Sequence, residues 1–160
     1  MPNKIEWVEN LNTGLDIVDR QHRKFFALVN KLLGTEEKEG SREKTVVQAF
    51  DFLKRYIIAH LGVEETLMDE YKYDAIPDHK AAHHHFRSEL DKLRRKYVSG
   101  GTAAVSMPLS YLVVEWFGEH IQKKDKRLVA FLQETAKKQR GLFRRIRDIA
   151  KEMFSSLSEE

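Results

Sequence analysis

The chain has no cysteine among its 160 residues and only three prolines and eight glycines. The first absence excludes thiolate metal sites, disulfides and thiol catalysis, and it fits a reducing compartment. The scarcity of helix breakers favours long helices over many short strands. No apolar run approaches the roughly 20 residues of a membrane span, and the opening MPNKIEWVEN lacks the basic start and apolar stretch of a secretory signal. A cytoplasmic protein with no transmembrane segment is therefore expected. Internal repeats and low-complexity tracts are also missing. The net charge is only +3, and its basic residues concentrate between Lys123 and Lys151, so no nucleic-acid partner is expected for the body of the chain.

What is present fits one helical domain. The length suits a single core, and 33% charged with 41% hydrophobic residues is ordinary for a globular protein. Residues 1–16 read as an irregular arm, pinned by Trp7. Apolar residues then recur at threes and fours from Ile17 to Leu33, with Gly34 as a stop. A second helix is expected from Arg42 to Tyr71, with Ser41 as N-cap and Val47 and Ile58 in its apolar stripe. A third runs from Pro77 to Val98, SGGTAAVSMP (99–108) reads as a flexible loop, and a fourth starts at Pro108 and carries Tyr111, Trp116 and Phe117. Four amphipathic stripes with short links predict an all-α, up-down-up-down four-helix bundle. Residues 1–140 would form it. Residues 141–160 add a C-terminal amphipathic helix, Phe143 in its stripe, as an extension of the same domain or a bent continuation of the fourth helix.

The chemistry lies in the histidines. His60 and Glu64 stand four apart, as do His79 and His83, and each such pair shares a helix face, offset by about 40°. Across a short turn the two pairs can aim four donors at one point, which is how bundles build metal sites. His22 and His120 can lie at a similar depth on the first and fourth helices. A lone histidine on an apolar face is usually a core residue with a hydrogen-bond partner, but inward-facing histidines on all four helices are not explained that way. His84 and His85 are rotated from His83 by about 100° and about 200° and should face solvent; the same rotation sets Glu65 apart from Glu64. Imidazole suits divalent iron without excluding zinc, copper or nickel.

These residues resemble the hemerythrin family, in particular its bacterial members. The resemblance covers Trp7 to Leu132: Trp7, Gly14-Leu15, Val18-Asp19-Arg20-Gln21-His22, His60, Glu64-Glu65, Met68, Tyr73, His79, His83, Phe86, then Trp116-x-x-x-His120-Ile121 and Asp125. Leu61, where an aromatic often stands, and Asp74, where proline is common, depart from the pattern without touching a ligand position. The resemblance implies a non-haem cofactor of two iron ions bridged by an oxo or hydroxo group and two carboxylates. One ion would take His79, His83 and His120, the other His22 and His60, with Glu64 and Asp125 bridging and dioxygen entering the vacancy on the second. Phe25, Phe26, Met68, Phe86, Trp116 and Ile121 would wall the pocket. His120 and Asp125 are five apart, about 140° from a common face of a regular helix, so a π-type widening is expected between them.

Reversible dioxygen binding for carriage, storage or sensing is the leading function. A histidine-rich site with two carboxylates favours binding over a diiron enzyme with peroxidase, ferroxidase or nitric oxide-related activity, which stands as the alternative. The C-terminal segment, with Arg140, Arg144, Arg145, Arg147 and Lys151 around its apolar stripe, is expected to pack on its own bundle or a second copy. An acidic partner, membrane surface or nucleic acid remains its other reading.

Overall fold

The computed structural model describes residues 6–34 and 39–155, with side chains over 6–34 and 40–152. Expectations for 1–5, 35–38 and 156–160, including most of the first connection and Leu157, lie outside the described residues. A 3-10 turn, Glu9–Leu11, precedes α1 (Asp16–Leu33). α2 (Glu39–Tyr56) runs through a π-helical segment, Ile57–Leu61, into α3 (Gly62–Glu70). α4 (Ile76–Glu115) runs into a second π segment, Trp116–Asp125, then α5 (Lys126–Lys138), and α6 is Leu142–Ser155. There is no strand among the described residues.

Cross-chain contacts fix the direction of each rod. His22 meets His60 while Phe25 meets Phe52 and Tyr56, so α1 and α2 are antiparallel. Phe50 lies on Tyr97 while Glu64 lies beside His83, so α2–α3 and the first arm of α4 are antiparallel. His83 meets His120 and Phe86 meets Trp116, and both pairs straddle Gly101 almost symmetrically. The chain therefore reverses at Gly101, whose φ of 67° and ψ of −167° lie in a region open essentially to glycine alone. Phe26 against Phe117 and His22 against Asp125 set the last rod antiparallel to α1. The result is the up-down-up-down bundle.

Several boundaries differ from the sequence reading. Residues 99–108 are not an extended loop: helix continues on both sides of Gly101, and Pro108 lies inside the second arm. A Gly- and Ser-rich composition marked the reversal but overstated its length, because packing of the two arms holds their ends helical. α2 starts at Glu39, so Ser41 is inside it and not its cap, and α4 starts at Ile76, with Pro77 second. Val47, Ile58, Tyr111 and Phe143 are exposed rather than buried. The run Ile76–Lys138 also contains a window long and apolar enough to cross a membrane by length and composition, only 17% of it buried. That qualifies the expectation of no such stretch, although the run is a hairpin folded at Gly101.

Two apolar clusters result. One joins Phe25, Phe26, Leu53, Tyr56, Leu61, Phe86, Trp116 and Ile121; the other joins Val63, Leu67, Met68, Leu128 and Leu132 with Leu142, Ile146, Ile149 and Ala150 of α6. α6 thus folds back over its own bundle after Gly141, which turns at φ 88°. The arm is held at the other end. Asp19 accepts from the Thr13 amide and hydroxyl at 2.7 Å and from the Gly14 amide at 3.2 Å, and Trp7 packs edge-on against Phe26.

Candidate metal centre

Seven polar side chains meet inside the bundle: His22 from α1, His60 and Glu64 from the first π segment and α3, His79 and His83 from α4, and His120 and Asp125 from the second π segment. All are buried, and His22, His83 and Asp125 are wholly so. His84 and His85 face solvent, as their rotation predicted.

The carboxylates organise the cluster. Asp125 turns Oδ2 to His22 Nε2 (3.0 Å) and His60 Nε2 (3.4 Å), and Oδ1 to His120 Nε2 (2.9 Å) and His79 Nε2 (3.3 Å). Glu64 turns Oε1 to His60 Nε2 (3.4 Å), and Oε2 to His83 Nε2 (3.2 Å) and His79 Nε2 (3.4 Å). Each carboxylate therefore gives one oxygen to a two-histidine side and the other to a three-histidine side. Donor atoms of Glu64, His79, His83, His120 and Asp125 lie within 4.8 Å of one another, as do those of His22, His60 and Asp125.

These atoms do not satisfy one another. Both Glu64 oxygens, Asp125 Oδ1 and His79 Nε2 are buried without a well-aligned hydrogen bond, despite neighbours at 2.9–3.4 Å. His83 Nε2 faces His120 Nε2 at 3.2 Å. Buried acceptors left without an aligned donor are costly unless positive charge stands among them. The donor set thus fits cations held by imidazole and carboxylate.

Protonation shows the same demand for positive charge. Burial lowers the affinity of His60 for a proton, but the charge and close approach of Glu64 and a hydrogen bond to Asp125 outweigh it and raise its pKa to about 10. His79 reaches about 9, where burial is overcome by the close approach and negative charge of the Asp125 and Glu64 carboxylates. His120 is lowered, chiefly by burial. Burial pushes both carboxyls up, and the charge of Asp125 pushes Glu64 further, yet the surrounding histidines hold both well below the usual carboxylate range. Without metal, protons on His60 and His79 supply the missing cationic charge.

The second π segment explains how Asp125 reaches the centre. Residues five apart are out of line on a regular helix but come into line where the turn widens, and the widening runs over Trp116–Asp125 as expected. The first π segment, around His60, was not anticipated, because a spacing of four needs no such device.

Sequence reasoning also missed three neighbours. His60 Nδ1 bonds to Gln21 Oε1, and His83 Nδ1 bonds to Glu65 Oε1 at 2.8 Å, which also receives Arg87 at 2.8 Å. Contacts of this kind fix ring orientation and tautomer. The third is Tyr56, whose ring stacks on His60 at 4.7 Å and whose oxygen accepts from Trp116 Nε1 at 3.3 Å. Trp116 itself stacks on His120 at 3.7 Å, with Phe86 behind it at 4.2 Å. Phe25 and Ile121 are fully buried in the same cluster, while Phe26 packs between Trp7 and Phe117. Met68 stands in the other cluster with Leu67 and Tyr73.

Comparison with known proteins agrees with this architecture. The family model for the hemerythrin HHE cation binding domain matches residues 13–132. A bacteriohemerythrin of Pseudomonas aeruginosa is 28% identical over 119 residues, covering 74% of this chain and 75% of the relative. One from Methylococcus capsulatus is 32% identical over 114 residues (71% and 85%), and one from Clostridium acetobutylicum is 27% identical over 126 (77% and 97%). The matched span begins at the Thr13–Asp19 clamp and ends beyond Asp125, so it contains every rod that feeds the cluster, and the chain belongs to the hemerythrin family.

Proposed function

We propose that this centre holds two iron ions and binds dioxygen reversibly. The observation that carries the reading is the division of both carboxylates: Asp125 and Glu64 each direct one oxygen to the His22–His60 side and one to the His79–His83–His120 side. Two cations sharing two carboxylates satisfy that pattern, whereas a single cation leaves one side unused. His79, His83 and His120 would hold one ion and His22 and His60 the other, which is left one protein ligand short. When bound, two iron ions would supply the electrons that dioxygen takes up on binding and gives back on release.

The chain's own residues make that exchange reversible. Phe25, Leu61, Trp116 and Ile121 exclude water from the centre, which slows protonation and loss of reduced oxygen. Gln21 and Glu65 hold the His60 and His83 rings in place. The names of the relatives support the family's oxygen chemistry for this chain without specifying carriage, storage or sensing.

One observation favours turnover as the second reading. The Tyr56 hydroxyl is buried beside His60 and accepts from Trp116, and its own hydrogen has no acceptor among the described residues. That O–H can donate a hydrogen bond to peroxide, although burial and the charges of Asp125 and Glu64 raise its pKa and hold the proton tightly. Two irons per chain, followed by full spectral reversal when oxygen pressure is lowered, is the expected result. Steady dioxygen consumption with added reductant would replace binding with turnover. In that case Tyr56→Phe should slow consumption about tenfold or more, within the usual contribution of a positioned acid.

A further inference from the structure

The end of the bundle where the chain reverses has a composition found nowhere else in it. Residues 97–114 contain no charged side chain, and residues 92–114 contain four basic residues and no acidic one. A helix face turned to water ordinarily mixes charges of both signs. Seven large apolar side chains are exposed among the described residues, and four of them gather at this end: Val98 at 86%, Met107 at 60% and Tyr111 at 55% on the hairpin, and Val47 on α2. Phe50 against Tyr97 brings Val47 to the level of the turn. Exposed apolar residues scattered singly need no explanation, whereas a gathered set marks an interaction surface.

The cations beside these residues are unpaired. Arg94, Arg95 and Lys96 are exposed and have no ion pair among the described residues, whereas Lys92 is held by Glu89 at 2.6 Å. Arg42 adds another, its guanidinium donating to Ser106 Oγ at 3.3 Å on the second arm. Because His83 meets His120 and Phe86 meets Trp116 across the hairpin, Arg95 stands level with Met107 and Pro108. Uncompensated positive charge and exposed apolar surface therefore occupy the same turns. α6 also exposes Phe143 among arginines, but there Arg145 is bound to Glu70 and the run is interrupted by Asp148 and Glu152.

We propose that this end of the bundle docks on an anionic lipid surface, with Val98 and Met107 entering the boundary between headgroups and acyl chains and Arg94, Arg95 and Lys96 meeting lipid phosphates. Such a surface offers apolar depth and negative charge together. A second copy packed two-fold on the same face would bring like cations towards one another, and nucleic acid would pair the cations but leave Val98 and Met107 in water. Docking is peripheral. The chain reverses at Gly101, and Val105, Leu109 and Val113 are buried in the protein core, so the uncharged stretch cannot span a bilayer. Arg95 lies about 18 Å of helix beyond His83, so docking leaves the metal centre covered and does not depend on what it holds.

The test sediments the full chain with vesicles of phosphatidylcholine alone and of equal parts phosphatidylcholine and phosphatidylglycerol. Binding to the mixed vesicles that salt weakens, with little on phosphatidylcholine, is expected. Arg94→Gln, Arg95→Gln and Lys96→Gln together should lower affinity about a hundredfold, at roughly fivefold for each charge. Met107→Gln should lower it as well, while Arg144→Gln with Arg147→Gln on α6 should leave it nearly unchanged. Tryptophan emission in Val98→Trp should move to the blue on binding, because that side chain leaves water. All these positions are exposed, and circular dichroism checks the fold. Equal binding to both vesicles, loss through the α6 pair and not through the hairpin, or unmoved emission in Val98→Trp overturns the site. A dimer in light scattering that Met107→Gln dissolves, without vesicle binding, would give the face to a second copy. Binding of duplex DNA but not of vesicles would give it to nucleic acid.

Discussion

Gln21 and Glu65 act one imidazole ring away from the proposed metal, and that position makes them informative. Each bonds the Nδ1 of a histidine whose Nε2 faces the centre, so each controls the aim of a ring without touching a cation. Truncating such partners typically weakens metal retention about 10–100-fold. Gln21→Ala and Glu65→Ala should do so in chelator competition, while Glu65→Gln, which keeps an acceptor oxygen, should lose much less. Equal retention in all three would mean that the rings are aimed by packing alone. These residues also mark what was legible at this scale. The four-residue spacings of His60–Glu64 and His79–His83 exposed the inner residues, because both members share a face. Gln21 could not be found that way, since it adjoins His22 and works across helices. Rotation correctly set Glu65 apart from Glu64, yet the same rotation carries its carboxylate to the far side of His83.

The helical elements explain why the spacing rules hold in one place and bend in another. A π segment is a helix with one residue too many, and over Trp116–Asp125 it aligns positions five apart. Deleting exposed Lys123 should therefore restore an ordinary turn, leave Asp125 four from His120, and keep both the cluster and the register of α5. Inserting one alanine after Gln122 should instead turn Asp125 about 100° away and abolish metal binding. Metal content of the two variants decides the matter, and loss in the deletion would refute the bulge as a register device. α6 poses a different question. We propose that 141–160 belongs to the same domain as 1–140, because Leu142, Ile146, Ile149 and Ala150 close the lower apolar cluster. Ile146→Ala should cost roughly 2–5 kcal/mol by cavity formation, whereas exposed Phe143→Ala should stay within about 0.5 kcal/mol; denaturant melts separate them. Periodicity revealed that α6 is a helix but misplaced Phe143, since a stripe on paper does not say how wide a contact the bundle offers. The turn at Gly101 was shortened for a related reason: two packed arms keep residues helical that composition alone would release.

At the scale of the whole molecule, the bundle encloses a charge pattern that only protons or metals can complete. Apolar clusters lie on both sides of the centre, so the metal-free chain should remain folded and helical. Its stability should nevertheless depend on pH in an unusual direction. His60 and His79 are raised from an ordinary 6.5 to about 10 and about 9. A raised pKa contributes stability that is complete below the unfolded value and is lost as pH climbs through the folded one. The metal-free protein should therefore weaken between about pH 7 and pH 10, as Glu64 and Asp125 lose their cationic partners. Metal ions need those rings neutral, so loading both ions expels the two protons, one per ion, and apparent affinity should rise about tenfold per ion, or about a hundredfold for the pair, per pH unit from pH 7 to pH 9. Ligand at about 1,000 times its dissociation constant adds roughly 4 kcal/mol, which for a chain of this size is about 8–16 °C in melting temperature. The gap between loaded and chelated protein should thus be near that range at neutral pH and widen as pH rises. A gap that narrows from pH 7 to pH 9, with iron retained, would show that His60 and His79 do not carry the protons that the metal displaces.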